Sequence, residues 1–343
     1  MTLEAVREEI EKKYGINTSL DATKSDVEAV STGIISLDKI LGVGGLPKGR
    51  LVEVYGEEAS GKTFITLMTM ASVQAAGGKV CFIDVEQAFD DKWAQKQGVR
   101  LGGEDMIFTQ PDFAEQALDI ALEAAKGGVD LIVLDSIAAL SSQNETDGDM
   151  ADHHVGQTAR LMNRFCRMVA PLLNNSDSTI ILVNQQRDKI GVVYGSPKVT
   201  TGGHAMKYAA SVRLQTSTTM SGRIENKGAY VGQKIKVRVV KNKVASPYRE
   251  TTFDIDFKDG YSVAGNVLDL CVEYGFVSKR GAWFQYDEVD LNTGEILEEH
   301  KLHGFSGAVD FLNNRADILE LLRQQVMDHG EEDVERTLMD EPV

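Results

Sequence analysis

The residues with the clearest chemical signature lie in the stretch VEVYGEEASGKTFITL, residues 52–67. Gly56, Gly61, Lys62 and Thr63 fit the pattern G-x-x-x-x-G-K-[ST] between a short apolar strand and the start of a helix. In such a loop the backbone N–H groups and the helix N-terminus bind phosphate oxygens, the lysine reaches the β- and γ-phosphates, and the threonine hydroxyl ligates Mg²⁺. A chance match in a turn is the alternative, but the strand–loop–helix context predicts a site for ATP with Mg²⁺.

Two acidic residues stand at the ends of other apolar strands. Asp135 ends LIVLD and Glu86 ends CFIDVE. Ligands of parallel sheets bind at the carboxyl ends of the strands, so both side chains are expected near the phosphates. Asp135 fits the second acid that supports magnesium, and Glu86 fits a general base that polarises an attacking water. A helix N-cap for Asp135 and a solvated loop position for Glu86 remain open.

The surrounding pattern predicts an α/β fold. Apolar strand-like runs at 50–55, 79–85, 129–135 and 178–184 alternate with helical patterns at 63–76, 114–126 and 156–173. Such alternation is typical of a parallel sheet covered by helices on both faces. Residues 208–257 read as further strands that extend the sheet antiparallel.

The two ends of the chain have a different character. Residues 2–14 predict an amphipathic helix and residues 15–30 a polar linker. A small mixed domain is expected from about residue 268, then a helix at 307–327 and an acidic tail at 328–343. After Tyr286 there are 16 acidic and 4 basic residues, so the first 286 residues carry only −4 of the net charge of −16. A basic surface for nucleic acid is therefore compatible with the overall acidity.

The composition limits which class of protein this chain can be and where in the cell it is expected. No apolar run is long enough to span a bilayer, and the charged N-terminus does not fit a secretory signal. The three cysteines are far apart in apolar segments, which predicts buried free thiols in the cytoplasm.

Several stretches in one order and spacing carry a family resemblance. They are STGIISLDKILGVGGLPKGRLVEVYGEEASGKT, FIDVEQAFD, LIVLDSIAAL, LVNQQRDKIGVVYGSP, TTGGHAMKYAASVRL and RVVKNKVASPYRE. Together they closely resemble the bacterial RecA family of strand-exchange recombinases, from the N-terminal helix to GAWFQY at 281–286. The resemblance thins in the acidic C-terminal end.

The resemblance implies a RecA-type P-loop ATPase core at 31–267, an N-terminal arm at 1–30 that contacts a neighbouring subunit, and a small α+β domain at 268–327. It implies a DNA-dependent ATPase that forms a helical filament of its own copies on single-stranded DNA, with ATP between subunits. The filament would capture homologous double-stranded DNA and exchange strands in recombination and repair.

The resemblance also assigns roles around the nucleotide. Glu86 matches the catalytic glutamate, Asp135 the Mg²⁺-supporting aspartate and Gln185 the glutamine that senses the γ-phosphate. Asp90 and Trp93 match adenine contacts, with Trp93 where the family usually has tyrosine. The residues that match the phosphate loop and its first helical turn are Gly56, Glu57, Glu58, Ala59, Ser60, Gly61, Lys62, Thr63 and Phe64. Glu57 departs from the proline common in the family.

Two lysines match a contact between subunits. Lys241 and Lys243 in RVVKNK correspond to lysines that reach the neighbour's ATP, where they would stabilise the transferring phosphoryl group like an arginine finger. Without the resemblance they would be read as a solvated pair at a strand end.

DNA contacts are expected on four segments: the connection 186–203, the helix at 156–173, the strand QKIKVRVV and the loop 145–156. The glycine-rich connection 186–203 is long for a compact domain, which is typical of a functional loop. Strand QKIKVRVV places Lys234, Lys236 and Arg238 on one face, and a charged edge strand is the alternative reading. The arginines on the helix at 156–173, Arg160 and Arg167, could equally form surface ion pairs. The DNA-binding positions implied by the resemblance are Arg160, Asn163, Arg167, Arg187, Lys189, Gly202, Gly203, Lys236 and Arg238.

The second expected DNA loop, 145–156, departs from the family pattern. Ala151 and His153 replace the usual glycine and serine, and the run DMADHH could alternatively form a metal cluster as in DHH phosphoesterases. Two other functions stay open: a ring-shaped helicase of the same fold, and a regulatory filament that promotes self-cleavage of a repressor in the SOS response to DNA damage.

Overall fold

The computed structural model describes residues 2–15, 27–147, 156–188, 198–226, 228–289 and 296–329. Expectations for Lys189, Ala151, His153 and the tail beyond His329 therefore lie outside the described residues. Helix α1 spans Leu3–Tyr14, close to its predicted bounds, and Thr2 caps its N-terminus. It buries none of its own side chains.

A mostly parallel sheet forms the centre of the molecule. Its strands are Leu51–Gly56 (β3), Val80–Asp84 (β4), Met106–Thr109 (β5), Leu131–Asp135 (β6), Thr179–Asp188 (β7), Lys198–Thr200 (β8), Val212–Asn226 (β9), Ala229–Asn242 (β10) and Glu250–Asp256 (β11). Their order in the sheet is β11-β10-β9-β3-β7-β6-β4-β5, and the short strand β8 pairs with the end of β7. Part of the predicted linker instead forms β1, Ala29–Val30, which pairs with β2, Leu46–Pro47.

Helices cover both faces of this sheet, as the alternating pattern predicts. The helices of the core are Ile35–Leu41 (α2), Lys62–Ala75 (α3), Asp91–Lys96 (α4), Ala114–Lys126 (α5), Gln143–Asp147 (α6), Gln157–Asn174 (α7) and His204–Ala209 (α8). On β6, Leu131 and Val133 pack in the apolar cluster that contains α3, whereas Ile132 and Leu134 pack in the cluster that contains α5 and α7. Successive side chains of a strand point to opposite faces of the sheet, which separates the two clusters.

The prediction that residues 208–257 extend the sheet antiparallel is wrong for the first strand. Strand β9 pairs with β3 in parallel, from Val52–Val212 to Gly56–Thr216. The connection through β8 and α8 returns the chain to the start of β3, where the Ser211 N–H donates to the Leu51 carbonyl. Strand β10 pairs antiparallel with both β9 and β11, and the short β8 pairs antiparallel with the end of β7.

A separate apolar cluster organises the C-terminal part. Its elements are α9 (Val263–Glu273), β12 (Ser278–Arg280), β13 (Trp283–Val289), β14 (Ile296–His303), α10 (Phe305–Asn314) and α11 (Ala316–Asp328). The boundary expected at 267–268 falls within α9, whose buried side chains belong to this cluster. The helix predicted at 307–327 is two helices, because Arg315 leaves helical geometry at φ −123° and ψ 73° and its guanidinium pairs with Asp317 and Glu288.

Cys81, Cys166 and Cys271 are buried and unpaired, as predicted, and burial raises their pKa values. Within the described part of the chain, no helix combines the length and apolar character that crossing a bilayer requires.

The C-terminal cluster yields a stability prediction. Leu322 of α11 is fully buried in it. We expect Leu322→Ala to lower the free energy of unfolding by about 2–5 kcal/mol, because the lost methyl groups leave a cavity. Denaturant unfolding measures this, and Gln324→Ala, exposed on the same helix, is the control. Equal stability of the two variants would contradict the packing.

Candidate functional site: a nucleotide cleft and two cationic surfaces

The phosphate loop connects the buried strand β3 to α3. Ala59 and Gly61 have φ values of +53° and +83°, which turn the chain sharply before the helix. A Cβ at Gly56 would lie 2.6 Å or less from atoms of Thr216 and Ser60, so only glycine fits there.

Ser60 braces this loop. Its Oγ donates to the Glu57 carbonyl at 2.7 Å and lies 2.6 Å from Thr216 Oγ1 on the adjacent strand β9. The Gln233 side-chain amide donates to the Ala59 carbonyl at 3.1 Å. The loop is thus attached to β9 and β10.

The side chain of Lys62 reaches back to the carbonyl groups at the start of the loop. Its Nζ donates to the Glu57 carbonyl at 2.6 Å and approaches the Gly56 carbonyl at 3.5 Å. Burial lowers the pKa of this lysine, while Asp135, Glu86 and Glu58 oppose that shift. An anion in the loop would supply stronger acceptors for the same ammonium group.

Thr63 and Asp135 meet beside Lys62. The Thr63 hydroxyl donates to Asp135 Oδ2 at 2.7 Å. Burial raises the pKa of Asp135 to about 6, although the Thr63 hydrogen bond lowers it, and the nearby Glu86 raises it further. A hydroxyl and a carboxylate oxygen are hard donors of the kind that Mg²⁺ takes, and a cation here would offset the unfavourable burial of negative charge.

Glu86 and Gln185 meet on the other side of Asp135. The Gln185 side-chain amide donates to Glu86 Oε1 at 3.0 Å, and the Ser136 hydroxyl donates to the same oxygen. Gln185 follows directly after the buried part of β7 and pairs in register with Gly56. Parallel register therefore brings the phosphate loop, Gln185 and Glu86 together.

These residues line one cleft of about 300 Å³ at the carboxyl ends of the strands. Its lining residues are Glu58, Ala59, Ser60, Gly61, Lys62, Thr63, Phe64, Glu86, Trp93, Asp135, Gln185, Gln233, Ile255 and Phe257.

Sequence reasoning missed three of the lining residues: Gln233, Ile255 and Phe257. They come from β10, β11 and the residue after β11, and Phe257 is half-exposed. The only sequence signal was an aromatic residue directly after a strand, which does not tell where that strand lies. Trp93 lines the cleft as expected, whereas Asp90 caps α4 by accepting from the Trp93 N–H at 2.9 Å and is not among the lining residues.

Lys241 and Lys243 do not line the cleft of their own chain. Lys241 pairs across the sheet with Arg213, near the start of β9, whereas the loop residue Gly56 pairs with Thr216 farther along. The Lys241 ammonium donates to the carbonyls of Lys207 and Tyr208 at 2.7 and 3.1 Å. Partial burial lowers the pKa of Lys241, and the like charges of Lys243 and Arg213 lower it further.

Helix α7 presents the three predicted polar residues on its exposed face. Arg160, Asn163 and Arg167 are exposed, and the opposite face buries Met162, Phe165, Cys166 and Val169. The return end of the connection 186–203 meets this helix.

The predicted glycines sit at that return end, before α8. Gly202 and Gly203 have φ values of +85° and +78°. A Cβ at Gly202 would lie 3.2 Å from Ile137, and one at Gly203 would lie 3.5 Å from Ala159, next to Arg160. The glycines therefore bring the connection close to the α7 face. The backbone of Arg187 lies in β7, and its side chain is not described.

The cations of β10 form a second surface. Lys234, Lys236 and Arg238 alternate with buried residues, as predicted. They are not isolated from acids: Lys236 pairs with Glu250 at 2.5 Å, Arg238 approaches Glu250 at 3.4 Å, and Lys234 pairs with Asp254 at 2.7 Å. Both acids lie on the edge strand β11, so three cations face two carboxylates.

Comparison with known proteins agrees with this architecture. Residues 1–262 match the family model of the RecA N-terminal domain, and residues 265–331 match that of the RecA C-terminal domain. Similar curated proteins include Protein RecA of Streptomyces venezuelae, 42% identical over 328 residues that cover 94% of this chain and 83% of the relative. Protein RecA of Ruminococcus albus is 46% identical over 83% of this chain and 72% of its own length. Protein RecA of Caulobacter vibrioides is 41% identical over 99% of this chain and 93% of its own length.

These matches span both domains and favour the recombinase over the ring-shaped helicase. The chain belongs to the RecA family, and it is a DNA-binding, filament-forming ATPase of homologous recombination and DNA repair.

Proposed function

We propose that the cleft binds ATP with Mg²⁺ and hydrolyses the ATP, and that hydrolysis controls the affinity of a filament for DNA. The observation that carries this proposal is the convergence of Lys62, Thr63, Asp135, Glu86 and Gln185 on one cleft from the ends of β3, β6, β4 and β7. Phosphoryl transfer to water requires a cation for the phosphates, oxygen ligands for a metal ion, a carboxylate base and a group that senses the γ-phosphate. These residues supply all four.

In this proposal Lys62 exchanges its loop carbonyls for the β- and γ-phosphate oxygens. Thr63, with Asp135 behind it, would hold Mg²⁺, which offsets phosphate charge when bound. The hydrogen bond between Thr63 and Asp135 keeps both donors in place.

Glu86 is the proposed base. Both hydrogen bonds that orient it, from Ser136 and Gln185, go to Oε1. Oε2 would then accept the proton of the attacking water. Gln185 is the proposed γ-phosphate sensor, because its amide can exchange Glu86 for a phosphate oxygen.

The base of the nucleotide would lie between Trp93 and Phe257. Both rings border the cleft, and aromatic faces stack on a purine without further polar contacts. Asp90 would contribute through its capping of α4, which positions Trp93, and through its second carboxylate oxygen.

The first test concerns chemistry. Glu86→Gln keeps the shape and the Oε1 hydrogen bonds but removes the base, so we expect nucleotide to bind while turnover falls by about 10²-fold or more. Lys62→Ala should instead lose nucleotide affinity. Nucleotide binding and phosphate release measure the two effects. Hydrolysis by Glu86→Gln at the parental rate would refute the assignment of the base.

Assembly would complete the site. Helix α1 buries none of its side chains, and Leu3 and Tyr14 are 87% and 63% exposed, which supports docking of this arm on another copy. Lys241 and Lys243 lie away from their own cleft, which supports a role at the ATP of the neighbour. Those ammonium groups would stabilise charge on the transferring phosphoryl group.

The second test concerns catalysis between copies. Lys241→Ala with Lys243→Ala should bind ATP but show little DNA-stimulated hydrolysis. Mixing this double variant with Glu86→Gln should restore part of the activity, because some interfaces then combine an intact Glu86 with intact lysines. Size measurements confirm co-assembly, and co-assembled mixtures without any recovered hydrolysis would exclude catalysis in trans.

Two surfaces would bind DNA. The α7 face with Arg160, Asn163 and Arg167, beside Gly202 and Gly203, is proposed for single-stranded DNA. Lys236 and Arg238 on β10 are proposed for the second, double-stranded partner. Phosphates would compete with Glu250 for these cations, so Glu250 should weaken duplex binding.

The third test addresses that competition. We expect Glu250→Gln to tighten duplex binding several-fold, since exposed ion pairs contribute only about 0.2–1 kcal/mol. Lys236→Ala with Arg238→Ala should weaken it and reduce the slope of log K against log salt by about 2. Glu320→Gln, which removes an exposed acid paired with Arg323 on α11, is the control. Duplex affinity of Glu250→Gln equal to that of Glu320→Gln across a salt titration would refute the competition.

A further inference from the structure

The side chain of Asn184 uses its full hydrogen-bonding capacity inside the core. Its Nδ2 donates to Glu53 Oε1 at 2.9 Å and to the Thr201 carbonyl at 3.0 Å. Its Oδ1 accepts from the Gln185 backbone N–H at 2.9 Å and from the Thr201 hydroxyl at 2.5 Å. A primary amide has two donors and two acceptor sites, so all four are occupied. Asn184 is fully buried, which makes each of these bonds costly to lose.

Three of these bonds, to the Gln185 N–H and to the carbonyl and hydroxyl of Thr201, join the two ends of the connection 186–203. Gln185 precedes the connection, and Thr201 lies near its return. Between them β7 and β8 pair antiparallel, beginning with Gln186 opposite Thr200. The connection therefore begins and ends in a short antiparallel strand pair. The residues that flank its first pair, Gln185 and Thr201, both bond to the Asn184 side chain.

The same amide is anchored to the centre of the sheet. Glu53 of β3 is fully buried, and its second carboxylate oxygen accepts from Arg213 Nε at 2.5 Å. The Arg213 guanidinium lies 4.6 Å from the centre of the Tyr55 ring. Because the removal of either charge would leave the other buried and unpaired, breaking this ion pair would cost stability. Asn184 thus links a buried ion pair of the core to both ends of the connection.

We propose that Asn184 and Thr201 form a clamp that passes the position of Gln185 to the return end of the connection 186–203. This inference rests on the proposed function, in which Gln185 contacts the γ-phosphate and the connection binds DNA. A shift of Gln185 toward the phosphate moves its backbone N–H, which is bonded to Asn184 Oδ1. That same oxygen accepts from the Thr201 hydroxyl, so the shift passes through Asn184 alone to Thr201 and the adjoining glycines.

Asn184 and Thr201 are positioning residues in this account. Neither borders the nucleotide cleft. A purely structural role would change the stability of the fold but would leave the dependence of DNA affinity on nucleotide unchanged. The clamp predicts that the dependence of DNA affinity on nucleotide changes as well.

The experiment compares single-stranded DNA affinity in the presence of a non-hydrolysable ATP analogue and of ADP. Thr201→Val keeps the shape and the backbone carbonyl but removes the hydroxyl bond to Asn184. We expect the ratio of the two affinities to fall by about 5-fold or more, the effect of one lost buried hydrogen bond, while analogue binding stays at the parental level. Thr201→Ser retains a hydroxyl and should preserve the ratio.

A neighbouring position supplies a matched control. The buried Thr200 hydroxyl has no hydrogen-bond partner among the described residues, so Thr200→Val should preserve the ratio. Thr201→Ala repeats the test if Thr201→Val does not fold. A parental ratio in the hydroxyl-deleting variant, or an equal fall in Thr201→Ser, would overturn the clamp.

Gln185→Ala separates this inference from the proposed function. If Gln185→Ala abolishes the ratio while Thr201→Val keeps it, the sensor stands and the clamp is wrong. If Gln185→Ala itself keeps the parental ratio, the sensor role in the proposed function is wrong, and the clamp that depends on it is overturned as well.

Discussion

The parallel register of β3 between β7 and β9 is the constraint on which the rest of the site depends. It places Gly56 opposite Gln185 on one side and Thr216 on the other. The phosphate loop can therefore be braced by the Thr216 hydroxyl while its inner side faces the amide of Gln185. Parallel strands end at the same edge of a sheet, so Glu86 and Asp135 reach this point as well. A slip of one residue along β3 would reverse the faces of its side chains and separate these groups.

Two sets of buried polar groups differ in how their charges are compensated. Around Glu53, one carboxylate oxygen accepts from the Arg213 guanidinium and the other from the Asn184 amide, so the buried negative charge is paired and hydrogen-bonded. Around Asp135, burial raises the pKa of the carboxylate to about 6 and lowers that of Lys62. The first set holds strands in place, whereas the second is suited to a charged ligand that compensates for burial.

The distribution of cations is compatible with the proposal that a second copy completes the site. Lys62 is in the cleft, but Lys241 and Lys243 lie beside the start of β9 and donate to backbone carbonyls of α8. The cations of β10 are paired with acids of the edge strand β11. In the proposed function these cations exchange their present partners for phosphates of ATP or DNA.

The sequence by itself determined the elements whose signals are local. The glycine spacing and Lys62 define the phosphate loop, and short continuous apolar runs define the strands that lead to Asp135 and Gln185, because each signal lies within a few neighbouring residues. The tertiary structure alone decided that β9 runs parallel to β3, that Arg315 separates two helices, and that Gln233, Ile255 and Phe257 complete the cleft. It also revealed the fully bonded Asn184. Most of these features depend on contacts between residues far apart in the chain, such as Asn184 with Thr201, 17 positions apart, and Glu53 with Arg213, 160 positions apart. Such contacts leave no periodic pattern in the chain that a local reading could detect.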